Sequence, residues 1–323
     1  MENNDLGSVG GRKRGRWGQE RRLEFIDSRL FWEGRLNRSA LTDFFRISVP
    51  QASLDLAEYQ RLAPSNVAYD VSQKAYVATA GFQPVLTEAS SARYLAELYA
   101  LSTGLLNPDL TFLGSVPAAD VVRHPARLVP VSVLRQTLSA IRERRSLAIT
   151  YQSMSHPEPR ARVISPHALG YDGGRWHIRA YCHSRNEYRD FVFARISELR
   201  IAERAIAQPS ADVEWNRFLD IVIAPNPEMA EGPRRAIELD YGMQSGRLVV
   251  STRQALAFYL LERLGMTSTP LARQSRVQHI VLANRDELLP YFPQLSETPV
   301  RRAAGPAEAG PPNVELGAEK RQG

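Results

Sequence analysis

The 323-residue chain has one cysteine, Cys182, and only three lysines. A single thiol excludes an intramolecular disulfide, and a reducing cytoplasm is the expected compartment. No apolar run approaches the roughly 20 residues of a membrane span, and the amino terminus is charged and glycine-rich without an apolar signal core. No C-x-x-C, H-E-x-x-H or glycine-rich phosphate loop occurs, and nothing resembles a nucleophile elbow. Four histidines, His156, His167, His177 and His183, invite a metal. His177 and His183, however, lie six residues apart on one expected strand, about 20 Å at about 3.3 Å per residue, too far to share an ion. The reading is therefore a protein that is not an enzyme, with no catalytic residue, metal or cofactor assigned and no membrane partner.

What the chain does have is concentrated positive charge. Its net charge of +6 equals that of residues 135–204 alone, which carry 13 arginines against 7 carboxylates and four of the six histidines. Within that stretch Trp176 to His183 alternates as a strand with two unlike faces. Trp176, Ile178, Ala180 and Cys182 make a core face. His177, Arg179, Tyr181 and His183 make a row of ring nitrogens, guanidinium and phenol, suited to gripping an anionic, partly flat ligand such as a nucleotide. A plainly solvated row is the alternative.

The remaining chain divides around this stretch. Residues 1–16 are expected to be a disordered basic arm, with Arg12, Arg14 and Arg16 either solvated or on phosphate. Residues 17–80 read as three helices and a hairpin: Leu23, Ile26 and Leu30 mark the first helix, and Leu41, Phe44 and Phe45 the second. Ser48 and Gln51 form an S-x-x-Q capping box for the third, which buries Ala52, Leu56 and Tyr59. Val67 to Val77 supplies the hairpin. This is the order of a winged helix-turn-helix, whose third helix would present Gln51, Ser53 and Asp55 to DNA while Lys74 tips the wing. Arg38 and Ser48 complete the expected DNA contacts. A helical packing module without nucleic acid is the alternative.

Residues 81–131 read as a linker with one helix carrying Ala92, Leu95, Leu98 and Tyr99. Residues 132–206 begin with a helix that buries Val133, Leu134, Leu138 and Ile141, then crowd five short strands together around the turn Asp172-Gly173-Gly174, which suggests a small barrel. Residues 207–296 alternate strands at Arg235–Asp240, Arg247–Ser251 and Val277–Leu282 with helices at Thr252–Leu264 and near Arg285–Tyr291, a small α+β domain. Residues 297–323, rich in Pro, Ala and Gly, are expected to be disordered. The fold class is thus α+β and multidomain.

The run Gly174-Arg175-Trp176-His177-Ile178-Arg179-Ala180-Tyr181-Cys182, with Arg189-Asp190-Phe191, Arg195-Ile196 and the upstream Ser165-Pro166-His167, resembles the signature of WYL domains. His177 stands where the family usually has tyrosine, and Ile178 where it has leucine. Over most of the chain the layout is similar to the WYL repressors that accompany bacterial anti-phage systems of the BREX and CBASS types. The resemblance implies a winged helix, a central Sm/SH3-like barrel and a carboxy-terminal WCX-like extension. It also implies a homodimeric transcriptional repressor that binds double-stranded DNA at an inverted repeat, answers an anionic nucleotide or oligonucleotide ligand, and autoregulates a defence operon. Carried over by position, it places the ligand on Tyr151, Ser153, His167, Arg179, Arg189 and Arg195, to which the two-faced strand adds His177 and Tyr181. An accessory protein whose main role is binding single-stranded nucleic acid or nucleotides is the competing reading.

Overall fold

The computed structural model describes residues 8–125, 127–204, 207–267 and 278–296. They fall into two compact units, Met1–Pro125 and Ala126–Gly323. The start of the expected basic arm and the expected disordered tail lie outside the described residues.

In the first unit α1 (Ser8–Glu33) leads to β1 (Arg35–Leu36), α2 (Arg38–Phe45), α3 (Val49–Leu62), β2 (Val67–Asp70) and β3 (Ala75–Ala78). α1 takes in Arg12, Arg14 and Arg16, which the sequence reading put in a mobile arm. Once a helix is nucleated by buried residues, each further turn costs little. Leu23, Phe25, Ile26 and Leu30 of α1 meet Leu41, Ala52, Leu56 and Tyr59 in one core. Asn37 and Ser48 cap α2 and α3, each side chain accepting a backbone N–H. The two-residue β1, unannounced in the sequence, pairs with β3, so the sheet order is β1-β3-β2 and the hairpin is anchored to the helices. α4 (Ser91–Ser102) follows. Its expected apolar stripe is not buried: Leu95 and Tyr99 face outward.

Asp27 ties this unit together from inside. Fully buried, it accepts from the Tyr59 hydroxyl at 2.6 Å, from the backbone N–H groups of Val85, Leu86 and Thr87, and from the Thr87 hydroxyl. One carboxylate thus joins α1, α3 and the start of the linker.

The second unit opens with α5 (Val131–Glu143), then β4 (Arg145–Tyr151), β5 (Arg160–Tyr171), β6 (Trp176–Cys182), β7 (Glu187–Val192) and β8 (Ile196–Arg204). All neighbours are antiparallel, in the order β7-β6-β5-β4-β8. Among the described residues no ladder joins β7 to β8, so the expected barrel is observed as a five-stranded sheet with two edges. Val133, Thr137 and Ala140 are the buried face of α5, and Leu138, expected inside, is exposed. Small residues let the helix lie close to Leu147, Ile164, Ile178 and Phe193.

Beyond the sheet come α6 (Val213–Asn216), β9 (Phe218–Pro225), α7 (Glu231–Asp240), β10 (Leu248–Arg253), α8 (Gln254–Arg263), β11 (Ile280–Leu282) and α9 (Arg285–Leu288). β9 is central, in the order β10-β9-β11. Its Leu219, Ile221 and Ile223 alternate and are buried, a strand absent from the sequence-based expectation. Arg235–Asp240, expected as a strand, belongs to α7. Pro233, which argues against a helix interior, sits in the first turn, where its missing N–H costs nothing. Val277, the expected start of the last strand, lies outside the described residues.

Candidate functional site

The front of α3 is partly self-occupied. Ser48 Oγ accepts from Gln51 N–H at 3.4 Å, but the reciprocal half of the capping box is missing, because Gln51 Nε2 donates to Asp55 Oδ1 at 3.1 Å. Asp55 was expected on the presented end of the helix. It is fully buried, gripped by Arg22 of α1 through Nε–Oδ2 at 2.6 Å and Nη2–Oδ1 at 3.2 Å. Ser53 Oγ donates back to the Val49 carbonyl at 2.9 Å. What α3 turns outward is Pro50, Leu54, Ala57 and Arg61, with Leu54 64% exposed and Arg61 paired to Glu58 at 2.7 Å. The spacing of this strip complements the buried Ala52, Leu56 and Tyr59, so it was readable in the sequence once the core face was known. Such a strip offers apolar contact, of the kind a thymine methyl accepts, more than hydrogen bonds. Arg38 at the start of α2 and Lys74 in the β2–β3 turn are exposed and have no ion-pair partner among the described residues. The turn is held by Asp70, which accepts from Ser72 and Gln73 and whose carboxyl is thereby lowered to about 2.

On the central sheet the two-faced strand keeps Ile178, Ala180 and Cys182 in the core, while Trp176, at its first residue, is 48% exposed against Tyr171. Its other face is not open as the alternation had suggested: His177 is 2% and Arg179 3% exposed. The segment around α6 and the helix α8 fold over it. Gly170 allows the approach, since a Cβ there would stand 2.9 Å from Leu256 of α8.

Arg179 is saturated by carboxylates. Its Nε and Nη2 donate to Asp212 at 2.7 and 2.9 Å, Nη2 also to Glu214 at 2.7 Å, and Nη1 to Asp190 at 3.4 Å. Asp212 accepts in addition from His167 Nε2 at 2.9 Å and from the Trp215 N–H, which caps α6. Tyr259 of α8 donates to Asp190 at 2.9 Å and stacks on His177, whose Nε2 donates to Asp172 at 2.8 Å. Burial opposes charge on Arg179, but Asp212, Asp190 and Glu214 outweigh it and raise its pKa. Burial likewise works against the Asp212 carboxylate, yet Arg179 and His167 hold it far below the ordinary range. For Asp172 the His177 hydrogen bond and the Gly174 and Arg175 N–H groups overcome burial and lower the carboxyl to about 2.

Carboxyls depressed in the folded state stabilise it above their unfolded pKa of about 4, and that contribution disappears as pH falls through the folded values. The melting temperature of the second unit is expected to decline steadily from pH 5 towards pH 2. Asp172→Asn should flatten that decline between about pH 4 and pH 2; a melt as steep as the parent's there would show that Asp172 is not part of it.

The other sequence-expected ligand positions divide. Tyr151 is core: its hydroxyl accepts from Val192 N–H at 3.3 Å and its ring meets Phe191 edge-on. Ser153 bonds to Ser155, Tyr181 reaches Asn186 at 3.4 Å, and exposed Arg189 pairs with Glu187 at 3.2 Å. Arg195 is half-buried, its carbonyl accepting from Gln152 N–H and its guanidinium having no partner among the described residues. Sequence reasoning missed Asp212 and Glu214 as partners of the row. The acidic Asp212-Val213-Glu214 shortly after the basic stretch was the available signal.

Three family models match: the BrxR transcriptional regulator winged helix-turn-helix domain over residues 18–100, the WYL domain over 132–201, and the BrxR transcriptional regulator C-terminal dimerization domain over 218–288. The DNA-binding transcriptional repressor CapW of Stenotrophomonas maltophilia is 43% identical over 274 residues, 84% of this chain and 92% of that protein. The chain belongs to the CapW family. CapW of Escherichia coli (strain KTE188) is 44% identical over 281 residues, and CapW of Pseudomonas aeruginosa 42% over 278, each covering 86% of this chain and 93% of the relative. In this family member Asp212 and Glu214 lie between the WYL and dimerization segments, so the connector between two matched domains supplies the counter-charges of the WYL sheet. Among the described residues no helix is long and apolar enough to cross a membrane.

Proposed function

We propose that this protein is a homodimeric DNA-binding transcriptional repressor that reads an inverted repeat, responds to an anionic ligand through its WYL sheet, and controls an anti-phage defence operon to which its own gene belongs. The observation that carries the repressor reading is the β1-β3-β2 sheet on three helices, in a chain aligned over most of its length with relatives named as DNA-binding transcriptional repressors. The dimerization-domain match over residues 218–288 supports self-association, and a two-fold dimer calls for a two-fold operator. On this reading Arg12, Arg14, Arg16, Arg38 and Lys74 hold phosphates, and Ser48, Gln51 and Ser53 line the approach to the groove. The five-stranded sheet is the counterpart of an Sm-like barrel, with Ser153, Tyr181, Arg189 and Arg195 as its accessible ligand positions. His167, His177 and Arg179 answer the ligand through their carboxylate partners.

A DNase footprint of the full-length protein on the duplex upstream of its own gene tests the reading. Protection of an inverted repeat with half-sites about 10 base pairs apart, or a multiple of that, is expected. Arg38→Ala and Lys74→Ala should each weaken binding across sequences alike and lower the salt slope by about 1. Stronger binding of random single strands than of this duplex would overturn the proposal.

A further inference from the structure

The two faces of β9 meet different surroundings. Leu219, Ile221 and Ile223 point inward and are buried, packed with Ala257 and Leu261 of α8 and Leu288 of α9. Ile237 of α7 joins the same core, so all three helices cover one side of the β10-β9-β11 sheet. The far side of α8 is occupied as well, with Tyr259 stacked on His177 and Leu256 standing over Gly170 of the WYL sheet. The inner side of the sheet is therefore closed.

The alternate residues make the outer face. Strand register places Val222 beside Val249 of β10 and Ala224 beside Val281 of β11, four aliphatic side chains in one patch across three strands. Val249 is 56% exposed, and the other three are half-buried. Further along the same face Ser251 lies beside Asp220, and Arg253 beside Phe218, which is 57% exposed. An antiparallel sheet with one solvated side normally sets polar residues there, so a continuous patch of valine, alanine and phenylalanine marks a contact surface.

The patch lies within residues 218–288, the segment that matches a dimerization domain, and a second copy of this chain is the occupant such a domain seats. The charges on the face suit that occupant. Asp220 is exposed, and its carboxylate has no partner among the described residues. Arg253 is its diagonal neighbour, yet that guanidinium donates to the Trp215 carbonyl through Nη1 and lies over the rings of Trp215 and Phe218. A face with one unpaired acid and one guanidinium at different positions is matched by its own copy turned through a two-fold axis, acid to guanidinium twice over.

We infer that the outer face of the β10-β9-β11 sheet is the surface on which two copies of this chain meet, with Val222 and Val249 at its centre. With the two-fold axis along the strands, Val222 covers the partner's Val249, and Asp220 lies within an arginine's reach of the partner's Arg253. The surface rests on the homodimer reading proposed above and deepens it by naming where the copies touch. The sheet and α8, whose Tyr259 bonds to Asp190, stand between this contact and the Arg179 cluster.

Sedimentation velocity of the full-length protein over a concentration series tests the surface. The parent should sediment as a dimer at micromolar concentration. Val249→Arg, at an exposed strand position, should raise the dimer dissociation constant about a hundredfold or more, because it puts an unpaired charge into the middle of an apolar contact. Asp220→Arg should raise it about tenfold by setting guanidinium against guanidinium. Asp220→Arg/Arg253→Glu should recover part of that loss, which a variant that merely unfolds cannot do. Leu239→Arg, at a 75% exposed position on α7, should leave the constant unchanged. A dimer as tight in Val249→Arg as in the parent, or a loss in Leu239→Arg in its place, overturns the surface and leaves the homodimer reading standing. A parent that sediments as a monomer at every concentration removes that reading and the surface with it.

Discussion

Arg179→Ala is expected to destabilise the second unit by about 3 to 5 kcal/mol, the range for removing one partner of a buried ion pair. The size follows from what is left behind: Asp212, itself 1% exposed, loses both of its guanidinium bonds, and Asp190 keeps only Tyr259. Asp212→Ala should cost a similar amount, because it takes two of Arg179's four carboxylate contacts, removes the partner of His167 and uncaps α6 at once. The double variant should cost clearly less than the two single losses added together, since each single change already breaks the shared bonds. Urea unfolding followed by tryptophan fluorescence gives the three values, Trp215 being on α6 itself. A single-variant loss below about 1 kcal/mol would mean that the pair behaves as a solvated surface bridge. The same result bears on function. Any loss of ligand response in Arg179→Ala has to be separated from loss of folding before Arg179 is counted as a ligand contact.

Asp27→Ala is the second large effect, on the first unit. Five donors converge on this carboxylate, and alanine leaves the Tyr59 hydroxyl, among others, without its acceptor inside the core. Burial and the neighbouring Asp27 push the Tyr59 phenol well above its ordinary pKa, so it stays a neutral donor seeking an acceptor at all working pH. Each unpaired buried group costs about 1 to 3 kcal/mol, and a combined loss on the order of 3 kcal/mol or more is expected. Operator binding should then fail at temperatures where the parent protein still binds. Asp27→Asn keeps one acceptor oxygen and should lose roughly half as much. Equal thermal stability of Asp27→Ala and the parent would sink the idea that this carboxylate organises the winged helix.

Much of the first unit could be read locally. The Ser48 cap, the Ala52-Leu56-Tyr59 stripe and the stop near Pro64 depend on neighbours three or four residues away, and those interactions survive in the fold. Local pattern misled where a residue's partner was distant. Asp55 looks like a surface acid in its own helix and is buried because Arg22, 33 residues earlier, reaches it. Leu138 belongs to the apolar pattern of α5, yet the smaller Thr137 and Ala140 face the sheet because close approach selects volume as well as polarity.

The central row shows the same division at the site that matters most. Period-two alternation by itself determined that His177, Arg179, Tyr181 and His183 share one face, and composition determined that positive charge gathers around them. Only the tertiary structure decided that Asp212 and Glu214, more than 30 residues downstream, neutralise Arg179. Side-chain direction along a strand is a property of the local backbone. Charge pairing is a property of distance in space, and that distance is set only when the chain folds back on itself.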